Sequence, residues 1–130
     1  MTLEEVHAYW LESSDDNFRS MQNMFRAGEY LWALFLGHLV LEKLLKALHA
    51  KTKGRDIPRT HDLLRLSILC GLEPTEHQKD ALQLITLFNI ESRYEDYKRD
   101  FARKCTREFA ESNMALIKEM QQWLKSEISR

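Results

Sequence analysis

The segment from Tyr30 to Lys51 constrains the fold most, because its first half is apolar on nearly every face of a helix. A helix of this kind is contacted from several sides, so it belongs at the centre of a helical assembly. Its longest apolar run, from Tyr30 to Leu41, is interrupted by Gly37 and His38 and is too short to span a bilayer. We therefore expect the central helix of a soluble bundle.

Apolar side chains recur at three- and four-residue steps through the rest of the chain, and no alternating strand pattern is present. Thr2 with Glu5 and Thr75 with Gln78 have the spacing of capping boxes, which mark helix starts. Long helices joined by short links favour an antiparallel up-and-down bundle. Five helices are predicted, over residues 2–27, 30–51, 60–69 (capped by Thr60), 75–89 and about 97–128.

The composition agrees with one all-α domain over residues 1–130, since only four Gly and two Pro occur. A net charge of −1 gives no reason to expect the whole surface to attract nucleic acid or a membrane. Cys70 and Cys105 match no metal-ligand spacing and are expected to be buried thiols. The first ten residues are acidic and amphipathic, unlike a signal peptide, so we expect a cytoplasmic protein.

The stretch from Phe88 to Lys98 is unusually polar for a connection, with an arginine, two tyrosines and three carboxylates but no Gly or Pro. Ser92 with Glu95, or Asp96 alone, could cap the last helix. One interpretation of Arg93 is a clamp with a carboxylate that fixes the bend. The other is a polar pocket, in which Arg93 binds an anion and Tyr94 or Tyr97 donates a hydrogen bond or stacks.

A second candidate is the basic segment from Lys43 to Arg65, which has seven Lys and Arg against Asp56 and Asp62. Such a patch can attract phosphates, although several of its lysines also complement the carboxyl-terminal end of the second helix. Within it, Arg55 and His61 have a spacing compatible with RNA cleavage by a histidine acid or base. A histidine such as His61, directly before Asp62 at a helix start, is more often a capping or packing group.

A third candidate is His38, which is followed at helical spacing by Glu42 and Lys46. A single histidine in an apolar helix is usually a packing residue with satisfied hydrogen bonds. The chain has no metal-ligand cluster, no Gly-rich phosphate loop and no nucleophile elbow. We therefore predict no metal, no cofactor and no common enzyme class.

Three segments together resemble the HEPN family (higher eukaryote and prokaryote nucleotide-binding domain). They are GHLVLEKLLKA at 37–47, PRTHDL at 58–63 and SRYEDY at 92–97. The resemblance implies a helical bundle that pairs as a homodimer, and a small prokaryotic member that accompanies a minimal nucleotidyltransferase in a toxin–antitoxin-like pair. Exposed aromatics such as Tyr30 or Trp32 could serve the dimer interface or fill the core.

Many members of the family are metal-independent ribonucleases with an Arg-x4–6-His motif. Here Arg93 stands at the position of the arginine, but no histidine follows it, and the last histidine of the chain is His77. Tyr97 lies where the histidine would be expected, and Glu95 replaces a frequent proline. The resemblance therefore implies a site that binds a ligand rather than one that cleaves RNA.

The prediction is a HEPN-like binding module with no catalytic residue, a homodimer that partners a nucleotidyltransferase and contacts a nucleotide or RNA phosphate. Arg93 would bind the anion and Asp96 would orient it. One alternative is a ribonuclease toxin in which Arg93 works with His61 or across a dimer. Another is a purely structural interaction protein. The predicted ligand-binding residues are Lys46, His61, Arg93, Tyr94, Asp96 and Tyr97.

Overall fold

The computed structural model describes all 130 residues and contains helices but no strand, which confirms the all-α class. Six helices are formed rather than about five. They are α1 (Leu3–Arg26), α2 (Tyr30–Thr52), α3 (Leu63–Leu69), α4 (Glu76–Arg93), α5 (Glu95–Lys104) and α6 (Arg107–Ile128).

The first two helices run antiparallel over their whole length. His7 Nδ1 lies 2.8 Å from the Ala47 carbonyl oxygen, and the Ser14 hydroxyl donates to the Val40 carbonyl at 2.8 Å. As the chain advances along α1, its partners therefore move backwards along α2. The short link that joins the two helices permits this arrangement.

The remaining long helices complete the predicted up-and-down bundle. His77 of α4 contacts Glu119 of α6 at 2.6 Å, whereas Phe88 contacts Phe109 with ring centroids 6.4 Å apart, so α4 and α6 are antiparallel. The same holds for α1 and α6, as shown by the pairs Asp15–Lys125 (3.7 Å) and Phe25–Arg107 (5.9 Å).

Helix α2 is central, as its apolar sequence predicts: 14 of its 23 residues are buried, against two of 24 in α1. Gly37 allows this close packing. A Cβ atom at this position would collide with Ile117 Cδ1 of α6 and would lie 3.2 Å from Met21 Sδ of α1. None of the six helices has both the length and the apolar character that crossing a membrane requires.

The helix starts are mostly where the sequence places them. Both predicted capping boxes, at Thr2 and at Thr75, are present. The predicted cap at Thr60 is wrong, because α3 begins at Asp62, whose carboxylate accepts from the Arg65 N–H at 3.1 Å. Thr60 lies outside the helix and accepts from the Asp62 N–H at 3.2 Å.

The predicted end of α4 and start of the last helix are corrected. Helix α4 continues past Asn89 to Arg93, and the chain then bends at Tyr94, which has an extended backbone with φ −93° and ψ 126°. Ser92 does not cap the next helix, since it is buried and its hydroxyl donates to the Phe88 carbonyl at 2.5 Å. Asp96 does not cap it either, and α5 begins without a side-chain cap.

The single long helix predicted from about residue 97 to 128 is two helices in the structure. Helix α5 ends at Lys104, and Thr106 begins α6 by accepting from the Phe109 N–H at 3.2 Å. Phe101 of α5 stacks on Phe88 of α4, with ring centroids 5.6 Å apart. This aromatic contact holds α5 against the bundle and so positions the α4–α5 junction.

Candidate functional site

His38 lies at the centre of a buried polar group between α2, α4 and the loop before α3. Its side chain is fully buried, and its Nε2 lies 2.8 Å from the His61 carbonyl oxygen. A carbonyl only accepts, so Nε2 carries the proton and Nδ1 can accept from the Asn89 amide nitrogen at 3.4 Å. Both ring nitrogens are therefore satisfied by a neutral imidazole.

The surroundings of His38 also favour its neutral form. Burial is the main cause that lowers the pKa of His38. The hydrogen bond to His61 and the negative charge of Glu42 oppose this shift, while positive charge at His61 and Arg93 adds to it. His38 is therefore a buried packing residue whose hydrogen bonds are satisfied, as the sequence predicts.

Glu42 lies one turn further along α2, and its side chain is only 5% exposed. One carboxylate oxygen accepts from His61 Nδ1 at 2.7 Å, and the other accepts from Lys46 Nζ at 3.0 Å. Burial alone would raise the pKa of this carboxyl, but the hydrogen bonds from His61 and Lys46 outweigh burial and hold it below the ordinary value. Glu42 is therefore ionised and accepts a hydrogen bond from each of the two side chains.

These five residues, namely His38, Glu42, Lys46, His61 and Asn89, form what we call the histidine cluster. His38, Glu42 and Lys46 follow one another at four-residue steps, so all three lie on one face of α2. Lys46 is further covered by Trp10, whose ring centroid lies 5.1 Å from Nζ. The Asn89 side-chain oxygen is buried without a hydrogen-bond partner.

Arg93, the last residue of α4, is exposed and carries no ion pair. Its guanidinium instead lies over the ring of Tyr94, 5.6 Å from the centroid. The predicted clamp with a carboxylate is therefore not formed, and Asp96 does not orient Arg93. Arg93 lies one helical turn after Asn89 on α4, which places it near the histidine cluster.

The predicted site residues fall into two neighbouring groups. Arg93 and the exposed side chains of Tyr94, Asp96 and Tyr97 lie at the α4–α5 junction. Lys46 and His61 belong to the histidine cluster, where both bind Glu42. His61 remains 55% exposed, whereas Lys46 is 14% exposed, so His61 is the cluster member most open to a ligand.

The basic segment from Lys43 to Arg65 is not one free surface. Lys46 points into the histidine cluster, and Lys51 donates to the carbonyls of Ile128 and Arg130 at the end of α6. Arg55 is exposed and makes no ion pair or hydrogen bond with His61. No three His, Cys, Asp or Glu side chains are placed to hold a metal ion together.

The sequence placed Glu42 beside His38 and Lys46 without a role in the site, and it gave no role to Asn89. Glu42 has the correct helical spacing to contact Lys46, but its contact with His61 depends on the path of a loop. Asn89 gives no signal in the sequence, because its role follows from α4 lying beside α2 at His38. Three surface grooves of the molecule lie away from both groups.

The fold and the site together define a helical-bundle domain with a polar site between α2, α4 and the loop before α3. Residues 7–127 match the model of the HEPN domain, and the chain belongs to this family. The chain is also similar to the crystal structure of TT1696 from Thermus thermophilus. The two are 26% identical with a TM-score of 0.78, over 93% of this chain and 97% of the other. Among curated proteins, none matches.

Proposed function

We propose that this HEPN domain is a binding module that contacts a nucleotide or RNA phosphate through Arg93. The observation that carries the proposal is an exposed guanidinium without any carboxylate partner, at a helix junction rich in carboxylates. Such a group is free to bind a phosphate with two parallel hydrogen bonds. Tyr94 and Tyr97, which are 54% and 55% exposed, supply ring faces and hydroxyl donors beside it.

The proposed partner is a minimal nucleotidyltransferase in a cytoplasmic toxin–antitoxin-like pair. Family membership supports this assignment, because small prokaryotic HEPN proteins commonly accompany such an enzyme. The phosphate-binding junction would then receive a nucleotide or an RNA end that the partner handles. Co-purification of the two chains is the direct measurement.

Replacing Arg93 with alanine is expected to weaken binding of nucleotides and RNA by about tenfold or more, because a charge-assisted bidentate contact is lost. The melting temperature should stay nearly unchanged, since Arg93 makes no ion pair. Isothermal titration with and without the partner measures the effect. Arg99→Ala, an equally exposed change on α5, is the matched control. Equal affinities for wild type and Arg93→Ala would remove Arg93 from the site.

The same titration, together with the melting temperature of Arg93→Ala, distinguishes the purely structural alternative from the binding module. If the polar junction only stabilises the bundle, Arg93→Ala lowers the melting temperature and leaves every binding partner untouched. The absence of an ion pair at Arg93 argues against this outcome.

A ribonuclease is the second candidate, and one observation favours it. Glu42 holds His61 through Nδ1, while Nε2 of this half-exposed ring makes no protein hydrogen bond. A carboxylate-oriented histidine can transfer a proton at its free nitrogen, and Arg93 could stabilise charge on phosphorus. The test is whether the protein degrades RNA and whether His61→Ala abolishes this activity while the variant still folds. That result would establish a ribonuclease rather than a protein that only binds.

We also propose a homodimer, and helix α4 offers a surface for it. Leu84, Leu87 and Ile90 recur at three-residue steps and are 41%, 45% and 40% exposed. Two antiparallel copies of α4 centred on Leu87 would place Leu84 of each copy against Ile90 of the other, as a two-fold axis requires. The apolar stripe would then be covered on both chains at once.

Leu87→Asp is expected to convert the dimer into a monomer, because it places a charge at the two-fold axis of the apolar contact. Analytical ultracentrifugation measures the mass of both proteins. Met24→Asp is the matched control, since Met24 is 37% exposed on α1, away from α4. A Leu87→Asp protein that sediments as the wild type would exclude this surface.

A further inference from the structure

A second contact between a cation and an aromatic ring lies close to Arg93. Trp32, in the first turn of α2, is 36% exposed and packs edge-on against Phe35 with centroids 5.8 Å apart. Lys98 of α5 reaches across to it, and its Nζ lies 4.8 Å from the ring centroid. Like Arg93, Lys98 has no carboxylate within ion-pair distance.

The contact of Arg93 with Tyr94 and the contact of Lys98 with Trp32 lie on one continuous part of the surface. Tyr94 immediately precedes α5, and its carbonyl oxygen accepts from the N–H groups of Tyr97 at 3.0 Å and Lys98 at 2.9 Å, so the three residues lie together at the start of this helix. The contact between Lys98 and Trp32 shows that the start of α5 lies beside the first turn of α2. At the end of α4, the guanidinium of Arg93 lies over the Tyr94 ring.

We call these five residues, namely Trp32, Arg93, Tyr94, Tyr97 and Lys98, the aromatic strip. Three of them are aromatic side chains that are between 36% and 55% exposed. The other two carry positive charges that form no ion pair within the protein. A strip that alternates rings and free cations has the composition of surfaces that bind single-stranded nucleic acid.

Each part of a single strand has a partner in this arrangement. Unpaired bases expose flat faces that stack on Trp and Tyr rings, and the phosphates between them attract Arg and Lys. A mononucleotide would occupy only one of the two cation–aromatic contacts. A duplex would hide its base faces from the rings.

We propose that the aromatic strip binds single-stranded RNA over several nucleotides, with Trp32 and Lys98 forming a second subsite beyond Arg93. The proposal rests on the proposed function, in which Arg93 binds phosphate, and it adds the second subsite and the preference for a single strand. Trp32 and Tyr97 stack bases, whereas Lys98 and Arg93 bind the phosphates between them.

The test compares adenosine monophosphate with a labelled oligoadenylate of about six nucleotides, a length typical of such surfaces. Wild type should bind the oligonucleotide at least tenfold more tightly. Trp32→Leu and Lys98→Ala should each weaken oligonucleotide binding by about tenfold and leave the monophosphate within about twofold. Lys98→Ala should also reduce the slope of log affinity against log salt by about 0.7, the value for one lost phosphate contact on a single strand.

Three controls make these comparisons specific. Trp32→Phe keeps a stacking ring and should restore most of the affinity that Trp32→Leu loses, and it also serves if Trp32→Leu fails to fold. Lys104→Ala removes an exposed lysine from the other end of α5 and should leave the affinity unchanged. A duplex of the same RNA should bind at least tenfold more weakly than the single strand.

The outcomes separate this proposal from the proposed function. If Arg93→Ala weakens every ligand while Trp32→Leu and Lys98→Ala bind the oligonucleotide like wild type, the second subsite is excluded and the phosphate site stands. Equal affinity for the single strand and the duplex would likewise contradict the proposal that the aromatic strip binds single-stranded RNA. If Arg93→Ala changes no affinity at all, the phosphate site fails, and the strip fails with it.

Discussion

Replacing Phe88 with alanine is expected to lower the free energy of unfolding by about 3–5 kcal/mol, the range for truncating a buried phenylalanine. Phe88 is only 1% exposed and contacts Phe101 of α5 and Phe109 of α6. Its removal leaves a cavity where three helices meet, because the backbone around it can collapse only in part. Urea denaturation of wild type and variant measures the difference.

An exposed aliphatic residue outside the proposed dimer surface provides a matched control for this variant. Ile68→Ala truncates a side chain on α3 that is 53% exposed, and we expect a loss of less than about 1 kcal/mol. Because Phe101 anchors α5 through Phe88, faster amide hydrogen exchange in α5 should accompany the loss in Phe88→Ala. A loss no larger than that of Ile68→Ala would show that the aromatic contact does not hold α5.

The general fold is predictable from the sequence because its strongest signals are local. The apolar surface of α2 requires contacts on several sides, and the capping boxes at Thr2 and Thr75 need only residues three apart. The break between α5 and α6 escapes prediction for the opposite reason. Phe101, Cys105 and Phe109 keep a four-residue spacing across it, so the apolar periodicity continues although the helix stops.

The candidate site is less predictable, because its geometry depends on tertiary contacts. Glu42 and Lys46 meet through helical spacing, but Glu42 meets His61 across 19 residues and a loop. The polar sequence around Arg93 suggests an ion pair, since carboxylates surround it. The bend at Tyr94 instead brings the guanidinium over the tyrosine ring, and this backbone change has no signal in the local sequence.

Glu42→Gln is expected to lower the free energy of unfolding at neutral pH by about 1.5–3 kcal/mol, the range for a hydrogen bond to a charged group. The variant has nearly the same shape as wild type but removes the negative charge that both His61 and Lys46 bind. Lys46 Nζ, which is largely buried, would then lose its carboxylate partner, at a cost that the loss includes. Chemical denaturation measures the difference.

The difference between the two proteins should depend on pH in a defined direction. Burial opposes ionisation of Glu42, but the hydrogen bonds from His61 and Lys46 leave its pKa in the folded state below the ordinary value of 4.5. A carboxyl with a lowered pKa contributes its full stability above the unfolded-state value and loses it as the pH falls through the folded-state value. Wild type should therefore lose this contribution below about pH 4.5, whereas Glu42→Gln has none to lose.

His38 adds a pH dependence of the same direction to both proteins. Burial lowers the pKa of His38 below its ordinary value of 6.5, so both proteins should become less stable as the pH falls below that value. Glu42→Gln removes one charge that opposes this shift, whereas His61 and Arg93 still face His38, so the variant should lose at least as much stability through His38 as wild type. The gap between the two stability curves should therefore stay wide down to about pH 5 and narrow at more acidic pH.

A surface pair supplies the matched control for the charge change. Glu119→Gln removes the carboxylate that contacts His77 at 2.6 Å, but these side chains are 53% and 64% exposed, so the loss should stay within about 1 kcal/mol. If Glu42→Gln costs no more than Glu119→Gln, then water screens Glu42 as it screens a surface charge. In that case the histidine cluster would not hold the loop before α3 against α2, and His61 would be free to move relative to Arg93.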